Sequence, residues 1–207
     1  MFIDPSSNLN DRTPQSRSLY EYVYEVLIRP QWVMSDISID KPYKHATSVF
    51  LIVGVLLGVG FGFQGSLGYF VGLYGALYGG ILFPFLFGTG LLIISALFYW
   101  FGTSLDGSGT YWEIALPTIF SSIPISFLVL IPLIRLFVDP LPILIYLLII
   151  PVTLISTARL LYFALMAGHR FSGFQSVLTL ASPILFLGLI FIAIFFVSVI
   201  LSLISFS

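Results

Sequence analysis

The sequence predicts an all-α protein: a polytopic membrane helix bundle with five transmembrane helices and an N-terminal cytoplasmic amphipathic helix. Of the 207 residues, 58% are hydrophobic and only 8% are charged, which is far from the balance of a soluble domain. The apolar residues gather in five stretches of about 20 residues or more, the helical length that crosses the hydrocarbon core. Eight of the nine glycines from residue 54 to residue 79 recur at intervals of three or four residues, as small residues do where helices pack in lipid.

The chain divides into a tail, an interfacial segment and one membrane domain. Residues 1–17 are rich in Ser, Pro, Asn and charge, which predicts a disordered cytoplasmic tail, and residues 18–45 are expected to lie at the membrane surface. The five spans, which make one domain over 46–204, are placed at 46–63, 69–101, 112–137, 141–166 and 177–204. A helix over 46–79 would be about 50 Å long, so a turn is expected at 64–66. Residues 64–79 could belong to the second span or lie at the interface.

The glycine stripe predicts a helix-packing face. Its spacing averages close to the helical period, and the residues between are almost all aliphatic or aromatic, unlike a flexible linker or a phosphate-binding loop. Small residues at such spacing let two helix backbones approach closely in lipid. The expected packing residues are Gly54, Gly58, Gly62, Gly72, Gly75 and Gly79. The sequence leaves open whether they pack against their own bundle or against a second protomer.

Basic residues predict the orientation. Seven of the eight Lys and Arg residues fall on the side of the N-terminus, and only Arg135 falls on the other. The positive-inside rule therefore puts the N-terminus in the cytoplasm.

Three capping boxes lie on that same side. In each, a hydroxyl and a later carboxylate or amide satisfy backbone N–H groups at a helix start; the pairs are Ser18 with Glu21, Thr110 with Glu113, and Ser172 with Gln175. The first box opens a short helix from Leu19 to Arg29, ended by Pro30. Its apolar face is expected to lie on the inner membrane surface and consists of Tyr20, Val23, Tyr24 and Leu27.

Residue usage argues against an enzyme, a metal site or a cofactor site. There is no cysteine, which removes disulfides, thiolate metal sites and cysteine nucleophiles. The two histidines, His45 and His169, have no neighbouring ligands at metal-binding spacing. A net charge of −1 gives no reason to expect nucleic acid. The sequence therefore predicts a non-enzymatic protein without cofactors.

Prolines and hydroxyl residues in the third and fourth spans support an alternative function. Each proline frees a carbonyl that a hydroxyl can satisfy, and a run of such residues could line a polar path for a small transporter or permease component. The candidate path residues are Ser121, Ser122, Pro124, Ser126, Thr153 and Ser156. The competing explanation is that the prolines only kink helices for packing.

Three segments together resemble the Yip (YIPF) family of five-span membrane proteins that interact with Rab-type GTPases. They are "VLIRPQWVMSDI" at 26–37, "GSGTYWEIALPTIFSSIPISFLVLIPL" at 107–133, and "GHRFSGFQSVLTLASPILF" at 168–186. The resemblance implies a membrane adaptor or scaffold that acts in membrane organisation or trafficking and associates with itself or with other membrane proteins.

The chain departs from eukaryotic members at its N-terminus. About 45 residues with "VLIRP" replace a long region that carries an Asp-Leu-Tyr-Gly-Pro motif, which argues against a small GTPase as partner and is similar to the prokaryotic branch. The expected location is then the cell membrane, or the ER and Golgi for a eukaryotic protein. The expected cytoplasmic partner surface consists of Tyr24, Arg29, Pro30, Trp32, Asp106, His169 and Arg170.

Overall fold

The structure, a computed structural model, describes residues 17–64, 69–135, 137–138, 143–183 and 185–186. These residues fold into helices and turns without a strand. The helices are α1 Leu19–Ile28, α2 Pro30–Asp40, α3 Tyr43–Gln64, α4 Tyr69–Ser104, α5 Tyr111–Phe120, a 3₁₀ helix Ile123–Val129, α6 Leu130–Arg135 and α7 Ile143–His169, followed by α8 at 173–183.

Four helical segments are long and apolar enough to cross a membrane. They are Tyr43–Gly62, Gly72–Ser104, Tyr111–Arg135 and Ile143–His169, and they correspond to the first four predicted spans. The all-α fold and the membrane character are therefore confirmed for the described residues. Most of the fifth predicted span, 177–204, lies outside them, as do residues 1–16 of the predicted tail.

The first two spans form an antiparallel hairpin. Of the polar turn predicted at 64–66, Gln64 ends α3, and residues 65 and 66 lie outside the described part of the chain. Residues from Tyr69 onward already belong to α4, so the stretch before residue 79 is part of the second helix. Pro84 lies within α4 and packs on Gly54, where an added Cβ would come within 2.6 Å of the proline Cα.

The third span is broken into three short helices. Pro117 lies inside α5, which ends at Phe120, and the chain continues as a 3₁₀ helix with Pro124 near its start. A 3₁₀ run of seven residues is unusually long. Proline lacks the N–H that an α-helix needs there, so the prolines explain why the span is not one straight helix.

The core is centred where α1 and α2 meet the bundle. Val26 of α1 and Met34 and Ile37 of α2 are 0% exposed, and they belong to one cluster with Phe120 of α5 and Ala164 of α7. The segment at 18–45, expected to lie at the membrane surface, therefore buries one of its faces against protein.

Candidate functional site at the N-terminal end of the bundle

Helices α1 and α2 meet two loops, 105–110 and 170–172, at one end of the bundle, called here the N-terminal end. Ser18 opens α1 with both bonds of its capping box: its backbone N–H donates to Glu21 at 2.7 Å, and its hydroxyl accepts from the Glu21 backbone at 3.3 Å. Only Arg29 separates α1 from α2, because Pro30 begins the second helix, a position that tolerates its missing N–H. The two helices are thus joined almost without a linker.

The outward side of these helices is unusually aromatic. Tyr20 and Tyr24 are 75% and 54% exposed, and their rings stack with centroids 6.2 Å apart. Trp32 on α2 is 72% exposed. Tyr20, Tyr24 and Trp32 are called the aromatic face below. Exposed aromatic side chains of this kind are typical of protein interfaces and of the headgroup region of a membrane.

The inward side of α1 is fixed by Tyr22. Its ring packs against His45 and Phe120, with centroids 5.5 and 5.7 Å away, and the Arg17 guanidinium lies 5.8 Å from the ring centroid. Burial raises the pKa of Tyr22, and the negative charge of Asp40 adds to this effect. The phenol therefore stays neutral at physiological pH, as suits a packed side chain.

Arg17 links α1 to α2. Its guanidinium is 2.9 Å from Asp36 and 3.4 Å from Glu25. Partial burial lowers the pKa of Arg17, but the two carboxylates outweigh it and raise the pKa above its ordinary value. These contacts hold α1 to α2, and the single positive charge of Arg17 offsets one of the two negative charges.

A second ion pair joins the end of α2 to the start of α5. Lys41, which has a left-handed backbone with φ of 50°, places its Nζ 3.1 Å from Glu113. The same carboxylate accepts from the Thr110 backbone at 3.0 Å, as the predicted capping box requires. Glu113 is therefore occupied by two structural contacts.

The third predicted box begins α8 and reaches a loop. The Ser172 backbone donates to Gln175 at 3.1 Å, and the Gln175 amide donates to the Leu105 carbonyl at 3.2 Å. This ties α8 to the loop that follows α4.

His169 lies in a cage of glycines. It is 1% exposed, and its Nε2 is 3.1 Å from the Phe98 carbonyl, so this nitrogen carries the proton. The imidazole stacks on Phe171 with centroids 4.6 Å apart. A Cβ at Gly102 or Gly107 would run into the ring. The histidine joins the ends of α7 and α4 and is closed off from outside contact.

The structure divides the residues expected in the partner surface. Tyr24, Arg29, Trp32, Asp106 and Arg170 are exposed at the N-terminal end. Pro30 and His169 are buried, so they can act only by supporting their neighbours.

Three of the six candidate path residues hydrogen-bond within their own segment. Ser121, Ser122 and Ser126 donate to the carbonyls of Pro117, Ile119 and Ile123, at 2.6 to 2.8 Å. Ser121, Ser122, Pro124 and Thr153 are buried, and Ser126 and Ser156 are partly buried. The carbonyls of Pro117 and Ile119 also accept the backbone N–H groups of Ser121 and Ser122, so these hydroxyls bond back to their own segment.

The glycine residues pair across the hairpin. Gly58 lies against Gly79, and Gly62 against Gly75, so closely that a Cβ at any of the four would strike the backbone of its partner. Gly54 faces Pro84, and Gly72 is buried on α4. The close approach of these four glycines lies within one chain.

Sequence reasoning missed α2 as a helix and the role of Arg17 and Asp36 in holding it. The signal was present: proline at the first helical position, followed by apolar residues at 33, 34 and 37, at helical spacing. The ion pair spans 19 positions, and such long-range pairings cannot be read from one chain.

A family model described as the Yip1 domain matches residues 24–204. No curated protein and no solved structure matches the chain.

Proposed function

The chain belongs to the Yip1 domain family, and from that premise we propose that it is a non-enzymatic membrane adaptor that presents the aromatic face to another protein. One observation carries the proposal. The helices that bear this face are fixed to the bundle by fully buried residues, yet Tyr20, Tyr24 and Trp32 remain exposed. A rigid support lowers the entropy lost on binding, and Tyr and Trp dominate interface energies.

We place the protein in the cell membrane, with this face in the cytoplasm. This orientation rests on the distribution of Lys and Arg. Because the chain has no cysteine, a single introduced thiol reports one position. In intact cells, an impermeant maleimide should label Phe137→Cys, at an 88% exposed site on the far end, but not Tyr20→Cys. The reverse pattern would overturn the orientation and leave the adaptor role to be tested separately.

The adaptor role is tested by recovering the tagged full-length protein from its native membrane after mild crosslinking and identifying what comes with it. We expect a stoichiometric protein partner that is lost in the Tyr20→Ser/Tyr24→Ser variant. The matched control is Ile39→Ser, which changes another strongly exposed apolar residue (70%) on α2 outside the aromatic face. Recovery of only the chain itself, or a partner that survives the double variant, would contradict the proposal.

A small transporter remains the competing proposal, with a path along the third and fourth spans. Reconstituted vesicles distinguish the two. Solute flux that disappears in Ser122→Ala would favour transport, because alanine removes the hydroxyl without adding volume at this buried site. An adaptor should show no flux in either form.

A further inference from the structure

Two adjoining recesses form a groove between α2 and α7 at the N-terminal end of the bundle. One has a volume of about 570 Å³ and the other about 390 Å³, and Trp32 and Phe163 line both. Arg29 and Arg159 line the larger recess, and Arg170 lines the smaller. This groove, called the α2–α7 groove, therefore combines large apolar side chains with arginines in each of its two parts.

The groove carries a net positive charge. The charged side chains that line it are four arginines and two carboxylates. Both carboxylates, Glu25 and Asp36, pair with Arg17. Among the residues that the structure describes, no carboxylate lies within 4.0 Å of the other three arginines, and all three are exposed. Three guanidinium groups are therefore available for an anionic ligand.

The groove opens on the aqueous side of the membrane boundary. Residues 143–158 of α7 have a length of about 24 Å, close to the hydrocarbon thickness of about 30 Å. Arg159 comes next, and a cation in a spanning helix is favoured where it reaches the interface. Beside the later turns of α7, the polar side chains of Gln31 and Ser35 on α2 line the groove. The ligand is therefore expected to come from the water phase.

The arginines are too widely spaced for one small anion. From Arg159 to His169, the residue before Arg170, α7 rises about 15 Å. A single phosphate ion can reach the arginines of one recess at a time, whereas an extended peptide covers this distance with about five residues. The indole of Trp32, 72% exposed, lines both recesses and offers a surface for an apolar side chain. The spacing therefore favours a peptide that carries several carboxylates.

We propose that the α2–α7 groove binds an acidic segment of a partner protein, with carboxylates on its exposed arginines and an apolar side chain against Trp32. Guanidinium groups pair strongly with carboxylates, often through two parallel hydrogen bonds. Trp and Arg are also among the residues that contribute most to binding at interfaces. The inference rests on the proposed adaptor role, because Trp32 belongs to the aromatic face as well as to the groove, and it adds the chemistry of the partner.

The test selects peptides on the full-length protein held in nanodiscs of phosphatidylcholine. Random peptides of about twelve residues, more than enough to cover the groove, are displayed on phage and enriched on the protein. We expect the enriched sequences to combine two or more carboxylates with a large apolar residue. Fluorescence anisotropy of a labelled synthetic copy then gives the dissociation constant. Arg29→Gln/Arg170→Gln should weaken binding by about tenfold, as expected for charge-assisted contacts, and Trp32→Ala by a similar factor.

Matched variants separate the groove from general charge and apolar surface. Lys44→Gln removes an exposed cation near the same end, and Ile39→Ala shortens an exposed side chain of α2; neither residue lines the two recesses. Both variants should leave the dissociation constant within about twofold. Gel filtration of every variant in its nanodisc shows whether a loss of binding comes from unfolding.

The outcomes distinguish this inference from the adaptor role. Tyr20→Ser/Tyr24→Ser should bind the selected peptide normally, because those rings do not line the two recesses. If no peptide binds while the crosslinked partner is still captured through the aromatic face, the inference fails and the adaptor role stands.

Four further results would also overturn the inference. They are enrichment of sequences without carboxylates and a loss of binding in Lys44→Gln equal to that in the arginine variant. Displacement of the peptide by short-chain phosphatidylglycerol, but not by phosphatidylcholine of the same length, would assign the groove to lipid headgroups. Binding that appears only after removal of residues 1–16 would make that segment of the chain the occupant.

Discussion

Between α3 and α4 the closest contacts join backbone to backbone, whereas at the N-terminal end of the bundle they join large side chains. Gly58 faces Gly79 across the hairpin, but Met34 and Phe120 fill a core from which solvent is excluded. The two regions differ because the hairpin is expected to lie in lipid, whereas the end of the bundle is expected to meet water. Burying apolar side chains gains little where lipid is the alternative, so helices there associate by close approach. At the end of the bundle the chain is stabilised like a soluble domain, by burial, caps and ion pairs.

The largest loss of folded protein is expected from a substitution that breaks the hairpin of α3 and α4. Gly58→Leu forces a side chain into the Gly79 backbone, which cannot rotate away, so we expect most of the protein to be lost as aggregate on extraction. Gly90→Leu is the matched control, because a Cβ there meets nothing within 4 Å. Thermal unfolding and gel filtration in mild detergent measure both. Similar losses in the two variants would show that the close approach is not what holds α3 to α4.

A smaller effect is expected in the core beneath α2. Met34→Ala should lower the free energy of unfolding by about 2–5 kcal/mol, because it removes buried methylenes and leaves a cavity. Trp32→Ala, two residues away but 72% exposed, should change it by less than about 0.5 kcal/mol. Denaturant titration of the full-length protein gives both values. If Trp32→Ala lowered the free energy of unfolding as much as Met34→Ala, the outward side of α2 would be what holds it to the bundle.

The smallest effect concerns the start of α5. Glu113→Ala removes both the cap on Thr110 and the pair with Lys41 and should cost about 1 kcal/mol. Glu113→Gln keeps an acceptor for the cap and loses only the pair, so it should cost less, in a salt-dependent way. The same denaturant titration at two ionic strengths separates them. If both variants lowered the free energy of unfolding equally, the ion pair with Lys41 would contribute more to stability than the cap on Thr110.

Local patterns in the sequence predicted local structure well. The helix opened by Ser18 was expected from Leu19 to Arg29 and runs over Leu19–Ile28. The box at Glu113 also forms as predicted. Each depends on residues three or four positions apart, which one chain displays directly.

Long-range features were hidden, for a physical reason. Tyr22 is buried and Tyr20 is exposed; the face with Tyr20 was expected to meet the membrane surface, and the sequence did not show that the side with Tyr22 packs on protein. On a helix this apolar, composition does not say which side meets protein. The glycine cage of His169 likewise joins residues more than 60 positions apart, a separation that no local pattern displays.

Helix α4 is too long for the bilayer that it crosses. Its apolar part runs over 33 residues, or about 50 Å, against a hydrocarbon thickness of about 30 Å. The excess must be absorbed by tilt, by a bend at Pro84, or by local thickening of the lipid. Each response costs a fraction of a kcal/mol per Å of mismatch, so the protein should partition toward thicker membrane regions and strain the lipid wherever it resides.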